Sequence, residues 1–195
     1  MSKRIIILAM TGASGAAFGA AALRMLHALP DVETHLVLSH AALRTIAHEL
    51  EEDAAALSAL ADVVHEVEDI GAGPASGSFG AHGMLIAPCS IRTMSAIAHC
   101  NADNLITRAA DVMLKERRKL VLMVRESPLH LGHLRAMTAA TEAGAIIAPP
   151  MPVTYARPAS LREMITQVSA RALSLLDLDV PEMAVWNGLA ARDQT

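Results

Sequence analysis

Aromatic side chains are almost missing from this sequence, which has one Trp, one Tyr and two Phe in 195 residues. Its core must therefore be built from Ala, Leu, Ile, Val and Met, which supply nearly all of a hydrophobic content of 53%. An aromatic in a loop or tail, such as Tyr155 or Trp186, then calls for a reason other than core packing. Cysteine is equally scarce. Cys89 and Cys100 have neither CxxC nor zinc-site spacing, which argues against a disulfide framework and a thiolate metal site. Without a secretion signal, this usage predicts a reducing cytoplasm. No apolar run approaches the roughly 20 residues of a membrane span. Nor is there a basic surplus: a net charge of −4 with both signs interspersed leaves no footprint for nucleic acid or an anionic membrane.

What remains is a chain long enough for one sizeable core. Five continuous apolar runs, "RIIILAM", "THLVLS", "MLIAPC", "KLVLMV" and "AIIAP", have the length of buried strands, and "VVHEVED" reads as a short sixth. Segments of helical period lie between them, over about Gly15–Leu29, His40–Glu52, Ser90–Arg117 with a break near Asn101, Leu131–Ala143 and Ser160–Leu178. That alternation predicts an α/β fold with a doubly wound parallel sheet in three layers, formed as one domain over residues 1–195. Residues 181–195 read as a C-terminal tail suited to packing on a neighbouring subunit. Ligands of such a sheet bind at the carboxyl ends of its strands, so the chemistry is expected in the loops there.

The loop after the first strand, "TGASG", places Gly12 and Gly15 around Ser14 at the start of a helix. Unpaired N–H groups and the helix dipole favour an anion at such a position, although a plain strand-to-helix turn has the same need for small residues. A nucleoside triphosphate loop would require Gly-Lys-Ser/Thr, whereas Ala16 and Ala17 follow Gly15. The dinucleotide fingerprint would place glycine at Phe18 and an acid at Ser39, which disfavours NAD. A short-chain reductase would need a lysine four residues after its tyrosine, and Tyr155 is followed there by Ala159.

Ser39 and Ser90 each follow a strand, where a serine serves as helix N-cap or as ligand donor. Ser76, in "PASGS", is the better placed for a ligand, although loop serines also form turns. Arg108 and Lys115 are seven residues apart on one helix and share a face, Arg125 ends a strand, and Arg171 lies on the last helix. Singly these are surface charges; together they offer guanidinium forks and a lysine point charge for a phosphate dianion. No DDxxD-like cluster is present, so a diphosphate held through magnesium is not expected and protein cations must do the holding. Glu126 adjoins Arg125, where it reads either as a surface ion pair or as an acid whose proton is exchanged with a bound phosphate. His130 and His133 have a metal-pair spacing without an evident third ligand, so they are read as structural or solvent-facing.

In their order along the chain, "MTGASGAAFG", "PASGS", "APCSIRT", "NLITRAADVMLKERRKLVLMVRE", "PPMPVTYARP" and the late Arg171 resemble the UbiX/Pad1 flavin prenyltransferase family over nearly the whole length. The resemblance implies a flavodoxin-like protomer of a homododecamer, with active sites between protomers. It implies metal-free transfer of a dimethylallyl group from dimethylallyl phosphate to reduced FMN. The product, prenylated FMN, would pass to a UbiD-type decarboxylase. FMN contacts would fall to Gly12, Ala13, Ser14, Ser39, Ser76, Ser90, Thr93, Arg108 and Trp186. The allyl phosphate would be held by Lys115, Arg125, Glu126, Tyr155 and Arg171, with Glu126, Ser14 and Glu49 as catalytic residues.

One departure is Ile70, which stands where many members of that family have a tryptophan. A cation–π contact there would be worth about 0.5–2 kcal/mol to an allylic cation, so its loss slows a reaction without abolishing it. Ile70 and the "DI...ASGSF" pattern resemble the phenolic acid decarboxylase branch of the family. Two alternatives stay open at this level: a noncatalytic FMN-binding component of an aromatic acid decarboxylase complex, and a related flavin-dependent cysteine decarboxylase. The latter would be expected to carry "PASANT"-like and "PxMNxxMW"-like segments, which this chain does not have.

Overall fold

Each long apolar run becomes a strand whose alternate side chains enter two different cores. The computed structural model describes residues 3–186 and 188. In β1 (Arg4–Met10), Ile6, Leu8 and Met10 point into one core and Ile7 and Ala9 into the other. This is the period of two that a pleated strand imposes, and burial on both faces is why the run is continuously apolar. The first core is closed by α1 (Ala16–Ala28), α2 (His40–Glu49), the short α3 (Ala54–Ser58) and α7 (Leu161–Ser174). The second is closed by α4 (Ile91–Ala98), α5 (Leu105–Lys115) and α6 (Leu131–Glu142). The result is the expected three layers.

The strands β2 (Val32–Leu38), β3 (Val63–His65), β4 (Gly83–Cys89), β5 (Lys119–Val124) and β6 (Ile146–Ile147) complete a parallel sheet in the order β3-β2-β1-β4-β5-β6. The chain winds outward in opposite directions from β1 and β4, so the loops after these two strands diverge and leave a crevice between them. Gly19 brings α1 down onto that seam: a Cβ added there would lie 2.2 Å from the Ala87 carbonyl oxygen.

Helix boundaries follow local chemistry. Ser39, Asp53, Ser90, Asn104 and Ser160 each cap a helix by accepting a backbone N–H. The break expected near Asn101 separates α4 from α5, with Cys100 at φ 55° and a reciprocal capping box between Asn104 and Thr107. Two expected helices are shorter in the structure. The second stops at Glu49 because Asp53 starts α3, and the last stops at Ser174, short of Leu178. Only part of the expected tail falls among the described residues. There, Met183 packs on the first core and the Ala184 N–H donates to Gln167 Oε1 at 2.6 Å.

Candidate functional site

The loop leaving β1 is shaped by two glycines with different duties. A Cβ on Gly12 would lie 2.2 Å from the Ala41 Cβ, so only glycine lets the loop rest on the start of α2. Gly15 has φ 107°, a left-handed conformation that glycine adopts at little cost. Of the two uses open to the N–H groups at the head of α1, an external anion or a plain strand-to-helix turn, the structure gives Gly15 and Ala16 an internal partner. Glu49 Oε2 accepts the Gly15 N–H at 2.8 Å and the Ala16 N–H at 2.9 Å. Helix α1 has no side-chain cap and no acid in its own first turn, so an acid from the end of α2 supplies the negative charge. Burial alone would raise the Glu49 pKa. It is outweighed by the Gly15 and Ala16 hydrogen bonds, the Ser14 hydroxyl and the Arg125 charge, which hold the carboxyl below its ordinary value. Ser14 itself stays exposed, with its hydroxyl bonded to Glu49.

Ser39 and Ser90 both prove to be N-caps, as one of their two readings has it. Ser39 Oγ accepts from the Ala42 N–H at 3.1 Å, which leaves its own hydrogen free to donate. Ser90 Oγ accepts from the Thr93 N–H at 3.3 Å and donates to Thr93 Oγ1 at 3.1 Å, so these two hydroxyls act as one unit. Ala13 N–H turns back onto the Thr11 carbonyl at 2.8 Å. A cleft of about 500 Å³ opens beside Gly12 and is lined by Ala41, Arg44, Thr45 and His48. Arg44 and His48 are missing from the sequence reading. Their spacing from Ala41 and Thr45 marks one face of α2, which is the signal that could have found them.

On the other layer, the "PASGS" loop folds into two single turns, Gly73–Ala75 and Gly77–Phe79, with Ser76 and Ser78 hydroxyls 2.9 Å apart. Two arginines brace it. Arg108 Nε donates to the Ala75 carbonyl at 3.2 Å while its Nη1 pairs with Asp111 at 2.8 Å, and Arg118 Nη2 donates to the Gly77 carbonyl at 3.0 Å. Lys115 pairs with Glu116, and both reach Gly77, where an added Cβ would meet Glu116 Oε1 at 2.2 Å and Lys115 Nζ at 2.9 Å. The shared face of Arg108 and Lys115 is therefore real and serves the loop. Ile70 stands before this loop with its side chain largely exposed.

The remaining phosphate candidates sit at strand ends and on α7. Arg125 follows β5, its N–H donating to the Cys89 carbonyl at 3.1 Å. Glu126 is exposed, and its Oε1 accepts the Ser127 N–H at 3.0 Å. Arg171 donates to Ser174 Oγ at 3.1 Å on the rim of an apolar cavity of about 160 Å³ that includes Met123, Met151 and Val153. Tyr155 and Trp186, half-exposed, meet edge to face with centroids 5.3 Å apart. Among the described residues no hydrogen bond or ion pair joins Lys115 to Arg125, Glu126, Tyr155 or Arg171. His130 caps α6 through Nδ1 and its ring lies against that of His133, centroids 3.6 Å apart and planes tilted by 34°, and the described residues hold no group of three or more possible metal ligands. None of the described helices is long and apolar enough to cross a membrane.

The flavoprotein family model matches residues 1–173. The chain is also 53% identical over 190 residues to the flavin prenyltransferase UbiX of Thauera aromatica, covering 96% of each chain. It belongs to the UbiX flavin prenyltransferase family. A crystal structure of one UbiX protein, AnUbiX (PadA1), in complex with FMN and dimethylallyl pyrophosphate superposes with a TM-score of 0.94 at 48% identity, covering 96% of this chain and 100% of that one. A dodecameric FMN-dependent UbiX-like decarboxylase from Escherichia coli O157:H7 superposes with a TM-score of 0.92 at 44% identity, covering 94% and 100%. The six-stranded parallel sheet and its flanking helices are thus the flavodoxin-like fold of the UbiX family.

Proposed function

We propose that this chain transfers a dimethylallyl group from dimethylallyl phosphate to reduced FMN, making prenylated FMN for a UbiD-type decarboxylase. The residues at the β1–β4 seam suit a flavin. Gly12 and Gly15 keep the loop low, the Ser39 hydroxyl is available to donate, the Ser14 oxygen can accept while its hydrogen serves Glu49, and the adjoining cleft has the volume for a ring system. FMN would lie against Gly12, Ala13, Ser14, Ser39, Ser90 and Thr93, with Ser76, Arg108 and Trp186 contributed by neighbouring protomers. Reduced FMN, when bound, would supply the nucleophile.

The observation that carries this reading is the placement of Arg125. Its N–H donates to the Cys89 carbonyl at the end of β4 and its charge helps hold the Glu49 carboxyl below its ordinary value, which supports a guanidinium beside the flavin seat, with Glu126 next in the chain. Arg125, Arg171 and the Tyr155 hydroxyl hold the departing phosphate, joined by Lys115 of another protomer. Fixed cations facing a growing negative charge stabilise departure without reorganisation. Glu126 keeps one oxygen on the Ser127 N–H and offers the other for a proton shared with the phosphate. Glu49, with Oε2 on two amides, serves through the Ser14 loop that it fixes. Lys115 precedes β5 while Arg125 and Glu126 follow its other end, and this, with the exposed Met151, Tyr155, Leu161 and Trp186, supports an assembly, proposed as a homododecamer, in which neighbours complete the site.

The test is anaerobic incubation of purified protein with reduced FMN and dimethylallyl phosphate, with the diphosphate in parallel. Release of phosphate and a flavin heavier by one prenyl group are expected; FMN recovered unaltered would leave a flavin-binding protein without transferase activity.

A further inference from the structure

We propose that Thr11 is a positioning residue for this reaction, holding at fixed separation the two strand-end loops that form the flavin seat; the inference rests on the flavin reading above. The ladder between β1 and β4 pairs Ile6 with Gly83 through Ala9 with Ile86 and then ends, and β4 is irregular between Ile86 and Cys89 where it pairs with β5. Past that point a side chain takes over the joint. Thr11 is 2% exposed, and its Oγ1 donates to the Pro88 carbonyl at 2.8 Å and accepts the Ser90 N–H at 2.8 Å. The Thr11 N–H donates to the same Pro88 carbonyl at 3.1 Å. One residue therefore links the start of the Gly12–Gly15 loop to the residue that caps α4.

The consequence is geometric. Ser90 and Thr93 are bonded to each other, and Ser14 lies three residues beyond Thr11, so the spacing between the two sets of hydroxyls is set where Thr11 meets Ser90. The hydroxyl is used in both directions, as donor and acceptor, which valine of the same shape cannot reproduce. Removing it leaves the Ser90 N–H without its partner and one bond fewer on Pro88.

The experiment compares T11V, T11S and T11A in the full-length chain by FMN titration, by the visible spectrum of bound flavin and by steady-state prenyl transfer. T11V is expected to weaken FMN binding about tenfold and to lower kcat at saturating substrates by a similar factor, with an altered flavin spectrum. T11S is expected to restore all three, a rescue that simple loss of packing would not give. Should T11V fold poorly, T11S and T11A differ only in the oxygen, and T11A carries the defect. Equal FMN affinity, spectrum and kcat in T11S and T11A, or wild-type behaviour of T11V, overturns the proposal. Wild-type protein that binds FMN but makes no prenylated flavin overturns the functional reading instead, and the FMN titrations still decide the part played by Thr11.

Discussion

Glu49, at the end of α2, caps α1 by accepting the Gly15 N–H at 2.8 Å, and the adjacent Ala16 N–H lies on the same oxygen. The helix that in a nucleotide-binding loop would present its amides to a phosphate is here neutralised from within. Because the folded carboxyl titrates below its ordinary value of 4.5, its contribution to stability is fully present above that value. It is lost as the pH falls through the folded pKa. E49Q is expected to cost about 1 kcal/mol at pH 7, allowing for solvent screening of an exposed group, or roughly 2–4 °C in Tm. Thermal melts at pH 7 and pH 4 check this, since the gap between E49Q and wild type must narrow in acid.

Gly19 and Gly77 both border the site, and adding a methyl group to each has opposite expected results. At Gly19 the new Cβ meets a backbone oxygen, Ala87 O, at 2.2 Å, and neither α1 nor β4 can withdraw without opening a core. G19A is expected to destabilise by about 3 kcal/mol. At Gly77, whose φ is not positive, the obstacles are the mobile ends of Glu116 and Lys115. G77A is expected to leave stability within about 0.5 kcal/mol of wild type. By displacing Lys115 it should raise KM for the allyl phosphate. Urea titration and steady-state kinetics on both variants separate the two outcomes.

On adjacent strands, His35 and His65 form a hydrogen-bonded chain with Glu33. The Glu33 carboxylate only accepts, so His35 Nε2 donates to it at 2.9 Å, while His35 Nδ1 and His65 Nε2, 2.8 Å apart, share one proton between them. Burial and the neighbouring His35 lower the His65 pKa, against a smaller upward pull from Asp69. A folded pKa below the ordinary 6.5 means the unfolded chain binds the extra proton first. Stability therefore declines as pH drops below about 6.5 and levels off below the folded pKa. Urea midpoints measured from pH 7.5 to 5.0 are expected to fall less in H65Q than in wild type.

These contacts also mark what the sequence makes legible. The strands can be read because burial on both sheet faces leaves a continuous apolar run, and the break before α5 because Asn104 is a cap. Ser39 and Ser90 are open to two readings whose capping half is local and so is visible. Glu49 on Gly15, Thr11 on Ser90 and Gly19 on Ala87 are contacts between residues 34, 79 and 68 positions apart, and a single non-local contact has no period. The motifs that resemble the UbiX family carry the site list where periodicity stops. They do not show that the Gly15 and Ala16 amides are already taken by Glu49.

Glu126 is the sharpest remaining test of mechanism, because its surroundings separate binding from proton transfer. It is exposed after β5, one oxygen on the Ser127 N–H, and it makes no contact with the Gly12–Gly15 loop, Ser39 or the Ser90–Thr93 pair among the described hydrogen bonds. Glutamine preserves the shape and can still accept from Ser127, yet it has no proton to exchange with the phosphate. E126Q is therefore expected to bind FMN as wild type does and to lose at least about a hundredfold in kcat, the lower end of what positioned acid–base groups contribute. FMN titration and single-turnover phosphate release measure the two quantities independently. A parallel loss of both would make Glu126 a binding residue; unchanged turnover would remove it from the reaction.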